Sequence, residues 1–252
     1  MPEILHESRE RPELSGRTAL VTGASSGIGR AIALSFAEHG AFVVGVGRRA
    51  DRLEELAIMI RRRGNRCDMV SGDLTDADFA ARLVDRRSDL DILVNAAGVQ
   101  TPSPFVDGAF ADWVAMVNTN ILGLLSVTQA AARAMVARRR GHIINIGSAL
   151  GSTVFRNAVV YAATKHAVRA INTGLRLELA EHNIRVTEIA PGLVGDTEFS
   201  RSATHPDVVA SFYKRPYAPI STAEVAAAAL FAVRFPEGAE IERVDVKPIG
   251  QA

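Results

Sequence analysis

Cysteine and lysine are both scarce in this chain of 252 residues. The single cysteine, Cys67, excludes an internal disulfide framework and fits a reducing compartment, so we expect a cytoplasmic protein. Lysine occurs only at Lys165, Lys214 and Lys247, and arginine supplies nearly all of the positive charge. With Lys+Arg 29 against Asp+Glu 28, the net charge of +1 gives no global field that would favour nucleic acid or an anionic membrane.

Long apolar runs and metal-ligand spacings are also missing. No apolar run approaches the length of a membrane span, so we expect no membrane association. Six histidines and one cysteine form no recognisable metal cluster, and no metal is expected. Residues 1–15 are polar and charged, so they are not a secretory signal; we expect a flexible N-terminal extension that touches a neighbouring subunit. The remaining residues, 16–252, have ordinary globular composition and predict one domain.

Strands and helices alternate along the chain. The pattern predicts strands before Gly23 and at 41–46, 67–70, 91–94, 142–146, 184–189 and 242–246. It predicts helices from the glycine turn to Gly40 and at 51–63, 76–87, 110–140, 159–181 and 222–234, with an irregular segment at 193–221. This order predicts an α/β fold of the Rossmann type, a doubly wound, seven-stranded parallel sheet with helices on both faces.

The stretch Thr18–Gly29 runs from an apolar strand through Gly23, Gly27 and Gly29 into a helix. Glycines at such a turn let a ligand approach the backbone, and a helix N-terminus offers N–H groups and partial positive charge to a pyrophosphate. Two other interpretations stay open here. Such turns also serve tight packing alone, and Gly23-Ala-Ser25-Ser-Gly27 fits the G-x-S-x-G nucleophile elbow of serine hydrolases.

Tyr161 and Lys165 lie four residues apart in a predicted helix, so they share one face. An ammonium beside a phenol lowers the pKa of the tyrosine, which makes it a plausible acid/base near neutral pH. An incidental pair on a solvated helix face has the same spacing. Other unusual residues follow the predicted strands, where doubly wound sheets bind ligands, namely Asn95, Gly98, Ser148 and Pro191-Gly192.

These pieces together resemble the short-chain dehydrogenase/reductase family, in its shorter single-domain branch. The resemblance rests on Thr22-Gly-Ala-Ser-Ser-Gly-Ile-Gly29, Asp73-Leu74, Asn95-Ala-Ala-Gly98, Asn120-Ile-Leu-Gly123, Ser148, Tyr161-Ala-Ala-Thr-Lys165 and Pro191-Gly192. Their order and spacing match from about residue 16 to 247. Ala96 departs mildly from the pattern, because many members have a second asparagine there.

The resemblance implies an oxidoreductase with four catalytic residues. Tyr161 would exchange a proton with the substrate oxygen, and Ser148 would orient that oxygen through a hydrogen bond. Lys165 would lower the pKa of the tyrosine and bind the nicotinamide ribose, and Asn120 would hold a water in a proton relay to Lys165. Structural alternatives are that Asn120 bends its helix and that Ser148 caps a turn. The family also implies a homotetramer formed through the helices at 110–140 and 159–181.

The predicted cofactor is NADP(H). NAD sites usually carry an acidic residue after the second strand, but Gly47 stands there, and Arg48 is suited to pair with a 2′-phosphate, with Ser25 adding a hydroxyl. Asp73 and Asn95 would border the adenine and its ribose. The full set of predicted cofactor contacts is Gly23, Ser25, Ser26, Gly27, Ile28, Gly29, Arg48, Arg49, Asp73, Leu74, Asn95, Ala96, Gly98, Tyr161, Lys165, Pro191, Gly192, Val194 and Thr197.

The substrate signal is weaker. Phe155 and Phe199 are candidates for an apolar pocket wall, Arg156 is a candidate carboxylate partner, and Ser148 and Tyr161 would meet the reacting oxygen. Within the family, segments 191–200 and 244–249 resemble NADP-dependent 3-hydroxy acid dehydrogenases, whereas 154–161 resembles the clavulanate-forming aldehyde reductase. We therefore expect reduction of an aldehyde or ketone of a small polar molecule, with oxidation of a 3-hydroxy acid as the alternative.

Two other function classes compete with an oxidoreductase. A serine hydrolase built on Ser25 would need a triad acid and histidine in order after it, and none of the six histidines has an arguable placement. A non-catalytic NADP-binding regulator would not need the complete set of Asn120, Ser148, Tyr161 and Lys165. Both are disfavoured.

Overall fold

The computed structural model describes residues 13–87, 89–198, 205, 208–209 and 216–251. Within these ranges seven strands form one parallel sheet: β1 (Thr18–Thr22), β2 (Phe42–Gly47), β3 (Cys67–Ser71), β4 (Leu90–Asn95), β5 (Gly141–Ile146), β6 (Ile184–Pro191) and β7 (Arg243–Val246). The predicted fold class is therefore confirmed.

The strand order is β3-β2-β1-β4-β5-β6-β7. Strands β2 and β3 are added on one side of β1 and strands β4 to β7 on the other, so the order of the strands reverses between β1 and β4. All six pairings between neighbours are parallel, for example with Leu20 in register with Val44 on one side and Leu93 on the other. A crevice opens at the carboxyl ends of the strands at such a switch point, and this is where doubly wound sheets bind ligands.

Helices cover both faces of the sheet. They are α1 (Gly27–Glu38), α2 (Ala50–Arg62), α3 (Ala77–Asp85), α4 (Phe110–Val117), α5 (Leu124–Arg138), α6 (Val159–Leu179) and α7 (Thr222–Arg234). One core cluster contains side chains of α1, α2 and α7, including Phe36, Leu56 and Val225. The other contains side chains of α3 and α5, including Leu83 and Met135. The strands are buried between these two clusters, which gives them their nearly continuous apolar sequences.

Local chemistry explains where several helices begin and end. Gly40 follows α1 with a positive φ of +92°, a conformation that glycine adopts without a steric penalty. The Asp76 carboxylate caps α3 by accepting from the backbone N–H groups of Asp78 and Phe79. Ser221 and Glu224 form a capping box at the start of α7.

The predicted helix at 110–140 is interrupted. A π-helical turn at Asn118–Gly123 separates α4 from α5, and α5 ends at Arg138, where Arg139 adopts a left-handed conformation. Single π turns inside helices are frequent at functional sites. The difference matters because Asn120 lies in this turn, where its amide reaches the loop after β4.

Two predicted boundaries are also wrong. Strand β6 continues beyond Ile189 through Pro191, because β7 pairs alongside it up to Val246. The extension predicted for residues 1–15 does not include Leu14, whose side chain is buried in the core and whose N–H donates to the His39 carbonyl at 2.9 Å. Residues 1–12 lie outside the described residues.

The helical stretch Phe110–Arg138 is 29 residues long and contains a window of mean hydropathy 1.3, so by length and composition it is able to cross a bilayer. The expectation that no segment reaches this length is therefore wrong. A single such helix is weak evidence of a membrane span, since core helices pass the same test. Here α5 buries Leu124, Val127 and Met135.

Candidate active site

A cavity of about 490 Å³ lies at the switch point and is lined by the carboxyl ends of the strands. Most of the predicted site residues meet there. They are Gly23, Ser25, Ser26, Gly27, Ile28, Gly29, Arg48, Arg49, Asp73, Leu74, Ala96, Gly98, Ser148, Phe155, Arg156, Tyr161, Lys165, Pro191, Gly192, Val194 and Thr197. Asn95 and Asn120 are not among the lining residues, and Phe199 lies outside the described residues.

The glycine turn brings three backbone segments into close contact. Gly23 has a φ of +67°, and a Cβ added to it would lie 2.8 Å from the Ala97 nitrogen. A Cβ on Gly29 would lie 2.5 Å from the Gly23 carbonyl oxygen, so this glycine lets α1 pack against the turn. Thr22 was not singled out from the sequence, but its hydroxyl accepts hydrogen bonds from the Ala96 and Ala97 N–H groups at 3.0 and 3.1 Å. The turn after β1 is thereby fixed to the turn after β4.

The N-terminus of α1 opens onto this cavity. Ser26 is the N-cap residue and its side chain does not cap the helix, while Ser26, Gly27 and Ile28 all line the cavity. The N–H groups of a first helical turn have no partner within the helix, and together with the helix dipole they suit an anion. The turn therefore fits the pyrophosphate of a dinucleotide.

The two predicted arginines at the end of β2 have different contacts. Arg49, rather than Arg48, donates to the Ser26 hydroxyl at 2.7 Å and approaches the Ser25 hydroxyl at 3.4 Å. Arg49 also donates to Glu198 Oε1 at 2.8 Å, and Glu198 is a cavity residue that the sequence did not indicate. Arg48 lines the cavity as well, and its charge lies near Asp73.

A side chain at position 47 would make a tight contact with Ser25, which would have to shift slightly. A Cβ added there would lie 3.1 Å from Ser25 Oγ. Asp73 also lines the cavity, and its Oδ1 accepts from the Thr75 N–H and hydroxyl, both at 2.9 Å. These hydrogen bonds, with a smaller contribution from the Arg48 charge, lower the pKa of Asp73. The carboxylate is therefore held ionised at the adenine side of the predicted site.

Tyr161, Ser148 and Lys165 form a compact buried group at the floor of the cavity. Tyr161 shares a side-chain hydrogen bond with Ser148, and the Lys165 ammonium lies 5.8 Å from the tyrosine ring centroid. Lys165 Nζ donates to the Ile146 carbonyl at 2.8 Å. Ser148 also accepts from the Leu150 N–H at 3.1 Å, so it caps the short helix Ala149–Gly151, as one sequence alternative proposed.

Burial has the largest effect on the pKa values of Tyr161 and Lys165. It raises the pKa of Tyr161 to about 12, with the Ser148 hydrogen bond acting in the opposite direction. It also lowers the pKa of Lys165 to about 8, which the Glu188 carboxylate opposes. The expectation that Tyr161 has a lowered pKa is therefore wrong in this structure, because desolvation of the phenolate outweighs the stabilising contacts. The tyrosine is a phenol at neutral pH, the form that donates a proton.

The Asn120 side chain does not line the cavity, but it hydrogen-bonds to the loop and the helix that do. Its Oδ1 accepts from the Val99 N–H at 2.8 Å, and its Nδ2 donates to the Val99 carbonyl at 2.9 Å. Nδ2 also donates to Thr164 Oγ1 at 3.1 Å, and this hydroxyl donates to the Tyr161 carbonyl at 2.7 Å. Asn120 thus joins the loop after β4 to the helix that carries Tyr161.

Asn95 is predicted to border the adenine and its ribose, but it is not among the residues that line the cavity, and its side chain has partners in the interior. Its Nδ2 donates to Thr128 Oγ1 and to Asn145 Oδ1, both at 2.8 Å, and Asn145 Nδ2 donates to Asn172 Oδ1 at 2.9 Å. All four side chains are buried. They form a polar network that ties β4 and β5 to α5 and α6, in which Asn95 Oδ1 alone among the amide atoms named has no hydrogen-bond partner within the described residues.

Comparison with known proteins identifies the family. The family model for short chain dehydrogenase matches residues 17–207. The chain belongs to the short-chain dehydrogenase/reductase family. An uncharacterised oxidoreductase of Staphylococcus saprophyticus is 36% identical over 250 residues, covering 94% of this chain and 99% of the relative. This confirms the resemblance and identifies the chain as an oxidoreductase acting on CH–OH groups.

Solved structures of short-chain dehydrogenases support a nicotinamide cofactor. The closed form of a serine dehydrogenase complexed with NADP⁺ has a TM-score of 0.86 and 34% identity, covering 93% of this chain and 96% of its own. An NAD⁺-bound xylitol dehydrogenase has a TM-score of 0.84 and 26% identity, covering 92% and 98%. The cofactors in these two structures differ, so the choice between NADP and NAD depends on the residues of this chain.

The cavity of this dehydrogenase is also lined by candidate substrate residues. Phe155 and Arg156 line it and are both exposed, and Val208 contributes a buried apolar wall. Gln251 also lines the cavity, and its Oε1 accepts from the Leu193 N–H at 2.9 Å. The sequence did not indicate Gln251, because it lies 58 positions from Leu193 in a segment without a motif.

Among the described residues there is no group of three or more His, Cys, Asp or Glu side chains that would hold a metal ion.

Proposed function

We propose that this protein is an NADP(H)-dependent reductase that converts an aldehyde or ketone of a small polar metabolite to the alcohol, reversibly, with Tyr161 as the acid/base. The observation that carries the proposal is the buried group of Tyr161, Ser148 and Lys165 at the floor of the cavity, beside the glycine turn. A cavity with one glycine-lined end and one acid/base end suits a dinucleotide and a carbonyl compound together.

The bound nicotinamide would supply a hydride to the carbonyl carbon in reduction and accept it back in oxidation. Ser148 would donate a hydrogen bond to the carbonyl oxygen and orient it. Tyr161 would give its phenolic proton to that oxygen as the negative charge develops, which its high pKa favours at neutral pH. Lys165 would hold the nicotinamide ribose and stabilise the phenolate left behind, and Asn120 would hold a water that returns the proton through Lys165.

The proposed preference for NADP(H) is supported by the arginine and serine donors near the end of β2 and by the absence of a side chain at Gly47. Arg49 and the hydroxyls of Ser25 and Ser26 lie together there, and they match the charged and neutral donors that a 2′-phosphate requires. No carboxylate occupies position 47, and a side chain there would meet Ser25. We infer that NADP(H) binds more tightly than NAD(H). We propose the other predicted cofactor contacts that line the cavity as its remaining contacts.

Oxidation of a 3-hydroxy acid is the second candidate. The similar serine dehydrogenase supports it, because serine carries a 3-hydroxyl and a carboxylate. In this chain Arg156 lines the cavity, where its guanidinium would meet such a carboxylate. We also propose a homotetramer, supported by large exposed apolar side chains on the helical stretch 110–138, including Phe110, Leu122 and Leu125. A cytoplasmic location remains part of this proposal.

Steady-state kinetics tests the proposed function. NADPH oxidation is followed with a panel of aldehydes and ketones, and NADP⁺ reduction with serine and other 3-hydroxy acids. We expect kcat/KM for NADPH to exceed that for NADH. Tyr161→Phe should abolish turnover while NADPH fluorescence still reports binding. Turnover that survives Tyr161→Phe, or equal use of the two cofactors, would contradict the proposal.

A further inference from the structure

A buried carboxylate lies beneath the catalytic group and has no role in the proposed mechanism. Glu188 of β6 is 1% exposed, and its Oε1 is buried without a hydrogen-bond partner among the described residues. In the sheet Glu188 is in register with Asn145 of β5, whose side chain reaches α6. Residues in register on parallel strands point to the same face, so Glu188 also lies beneath α6.

The backbone of the active site is shaped around this carboxylate. A Cβ on Gly147 would lie 2.1 Å from Glu188 Oε1, so the glycine makes room for it. Gly147 stands between Ile146, whose carbonyl accepts from Lys165 Nζ, and Ser148. A Cβ on Gly151 would lie 2.9 Å from the Lys165 carbonyl and 3.7 Å from Glu188 Oε1. The carboxylate therefore lies against the turn that holds the lysine and the serine.

Three cations and one other anion face Glu188. Arg243 of β7 lies 3.8 Å from Glu188 Oε2, and Asp245 lies on the same strand. From α6, Arg169 and Lys165 act on Glu188 through their charges. The two arginines have other partners, since Arg243 donates to Asp245 at 2.8 Å and Arg169 to the Ser152 hydroxyl at 2.5 Å.

Lys165 is buried, and its hydrogen bond goes to the neutral Ile146 carbonyl. Burial disfavours its ammonium form, and Glu188 is the charge that acts to restore it. Burial also raises the pKa of Glu188, while Arg243, Arg169 and Lys165 lower it and Asp245 raises it. The net direction of the pKa of Glu188 is upward because burial has the largest effect, and the three cations act against it in favour of the ionised carboxylate.

We propose that Glu188 is a positioning residue whose buried charge keeps Lys165 in its ammonium form beside Tyr161 at the working pH of the enzyme. The inference rests on the proposed function, in which the lysine charge supports the tyrosine. Glu188 touches neither substrate nor cofactor in this role and acts only through Lys165.

The direction of the expected effect follows from charge alone. Tyr161 and Lys165 titrate as a coupled pair, and the form active in carbonyl reduction has both groups protonated. Removing a nearby negative charge makes either proton easier to lose. In Glu188→Gln the descending limb of the reduction pH profile should therefore move to lower pH, by roughly 0.5 to 1 unit.

The kinetic experiment compares the pH profiles of kcat/KM for NADPH-dependent reduction in the parent and three variants. Glu188→Gln should shift the limb, and Glu188→Asp, which keeps a carboxylate, should restore at least half of the shift. Asp245→Asn is the matched control, since it removes the other acidic partner of Arg243 while leaving Glu188 in place, and it should not move the limb to lower pH. A folded Glu188→Gln enzyme with the parental profile would overturn the proposal.

A second measurement requires neither enzyme turnover nor a folded Glu188→Gln variant. The sequence contains three lysines, so a protein labelled with ¹³Cε-lysine gives three signals, and Lys165→Arg assigns the one of interest. In the parent Lys165 should remain charged at pH 7.5; titration of this signal below pH 7 overturns the proposal, even when Glu188→Gln does not fold. If no carbonyl compound is reduced but Lys165 titrates as expected and shifts down in Glu188→Gln, the proposed function fails and the coupling stands.

Discussion

Arg49 donates a hydrogen bond of 2.8 Å to Glu198, across a separation of 149 positions in the chain. The same guanidinium contacts the Ser26 hydroxyl, and Glu198 Oε2 approaches that hydroxyl at 3.4 Å. The hydrogen bond from Arg49 lowers the pKa of Glu198, and the pairing raises the pKa of Arg49. A carboxylate therefore occupies the donors that we assign to the 2′-phosphate of NADP(H).

Removing this carboxylate should strengthen binding of the phosphate. In Glu198→Gln we expect the Kd of 2′,5′-ADP to fall about two- to five-fold, since exposed ion pairs of this kind are weak. The Kd of 5′-ADP should change less. Glu55→Gln is a matched control, because Glu55 pairs with Arg30 and Arg52 nearby and not with Arg49. Isothermal titration calorimetry measures both ligands, and identical values in Glu198→Gln and the parent would contradict the prediction.

The two neighbouring arginines should differ in their effect on cofactor choice. Arg49→Ala removes the side chain that contacts Ser26, and should lower kcat/KM for NADPH roughly 10- to 100-fold, the value of one or two charge-assisted hydrogen bonds. Use of NADH should be little changed. Arg48→Ala is the comparison, and it should have the smaller effect on NADPH. The ratio of kcat/KM for the two cofactors is the readout, and a larger loss in Arg48→Ala would restore the prediction made from the sequence.

Asn95→Ala should reduce stability and spare cofactor binding. The substitution leaves Asn145 Oδ1 without its donor in a buried position, which costs about 1–3 kcal/mol. The melting temperature should fall, while KM for NADPH in the folded enzyme stays close to the parental value. Thr128→Val removes the other acceptor of the same amide and should behave alike. A raised KM without a lowered melting temperature would show that Asn95 contacts the cofactor after all.

His142 should make the protein sensitive to acid. Burial lowers its pKa from 6.5 to about 3 in the folded protein, where its Nε2 lies 2.9 Å from Thr187 Oγ1. The unfolded chain binds the proton more readily than the folded one between these values, so stability falls as the pH drops below about 6.5. Between pH 6.5 and 4 this amounts to roughly 3 kcal/mol.

Urea unfolding at pH 7 and pH 4.5 measures this dependence. His142→Gln should lose less stability on acidification than the parent. His166→Gln, at an exposed histidine of α6, should lose as much as the parent. An equal loss in all three proteins would show that other groups determine the acid sensitivity.

The parts of the site that depend on local spacing were predictable. Gly23 and Gly29 mark a turn where backbones come into contact, and Tyr161 and Lys165 share a helix face because four residues separate them. These relations are set within one turn or one helix. The same is true of the alternation of strands and helices that predicts the sheet.

Other features depend on which segments meet in space. The sequence cannot show that Arg49, and not Arg48, reaches Ser26, because this follows from the direction of the chain as β2 passes into α2. It cannot show that Glu198 lies opposite. The strand-end position of Asn95 suggested a ligand contact, but partners on β5 and α5 engage its side chain in the interior. Tyr161 shows the same limit, since its protonation depends on burial by distant segments.

The π-helical turn at Asn118–Gly123 divides the long helical stretch into two α-helices whose side-chain positions do not follow one continuous α-helical repeat. One extra residue in a turn rotates everything after it by about 100° relative to a continuous α-helix. Each half has its own buried residues, Met116 in α4 and Leu124, Val127 and Met135 in α5. Deleting one residue here would remove the extra residue that the π turn accommodates and would allow a continuous α-helix. The same deletion would move the Asn120 amide away from the Val99 backbone. A change in the length of this helical stretch would therefore also change the loop that lines the active site.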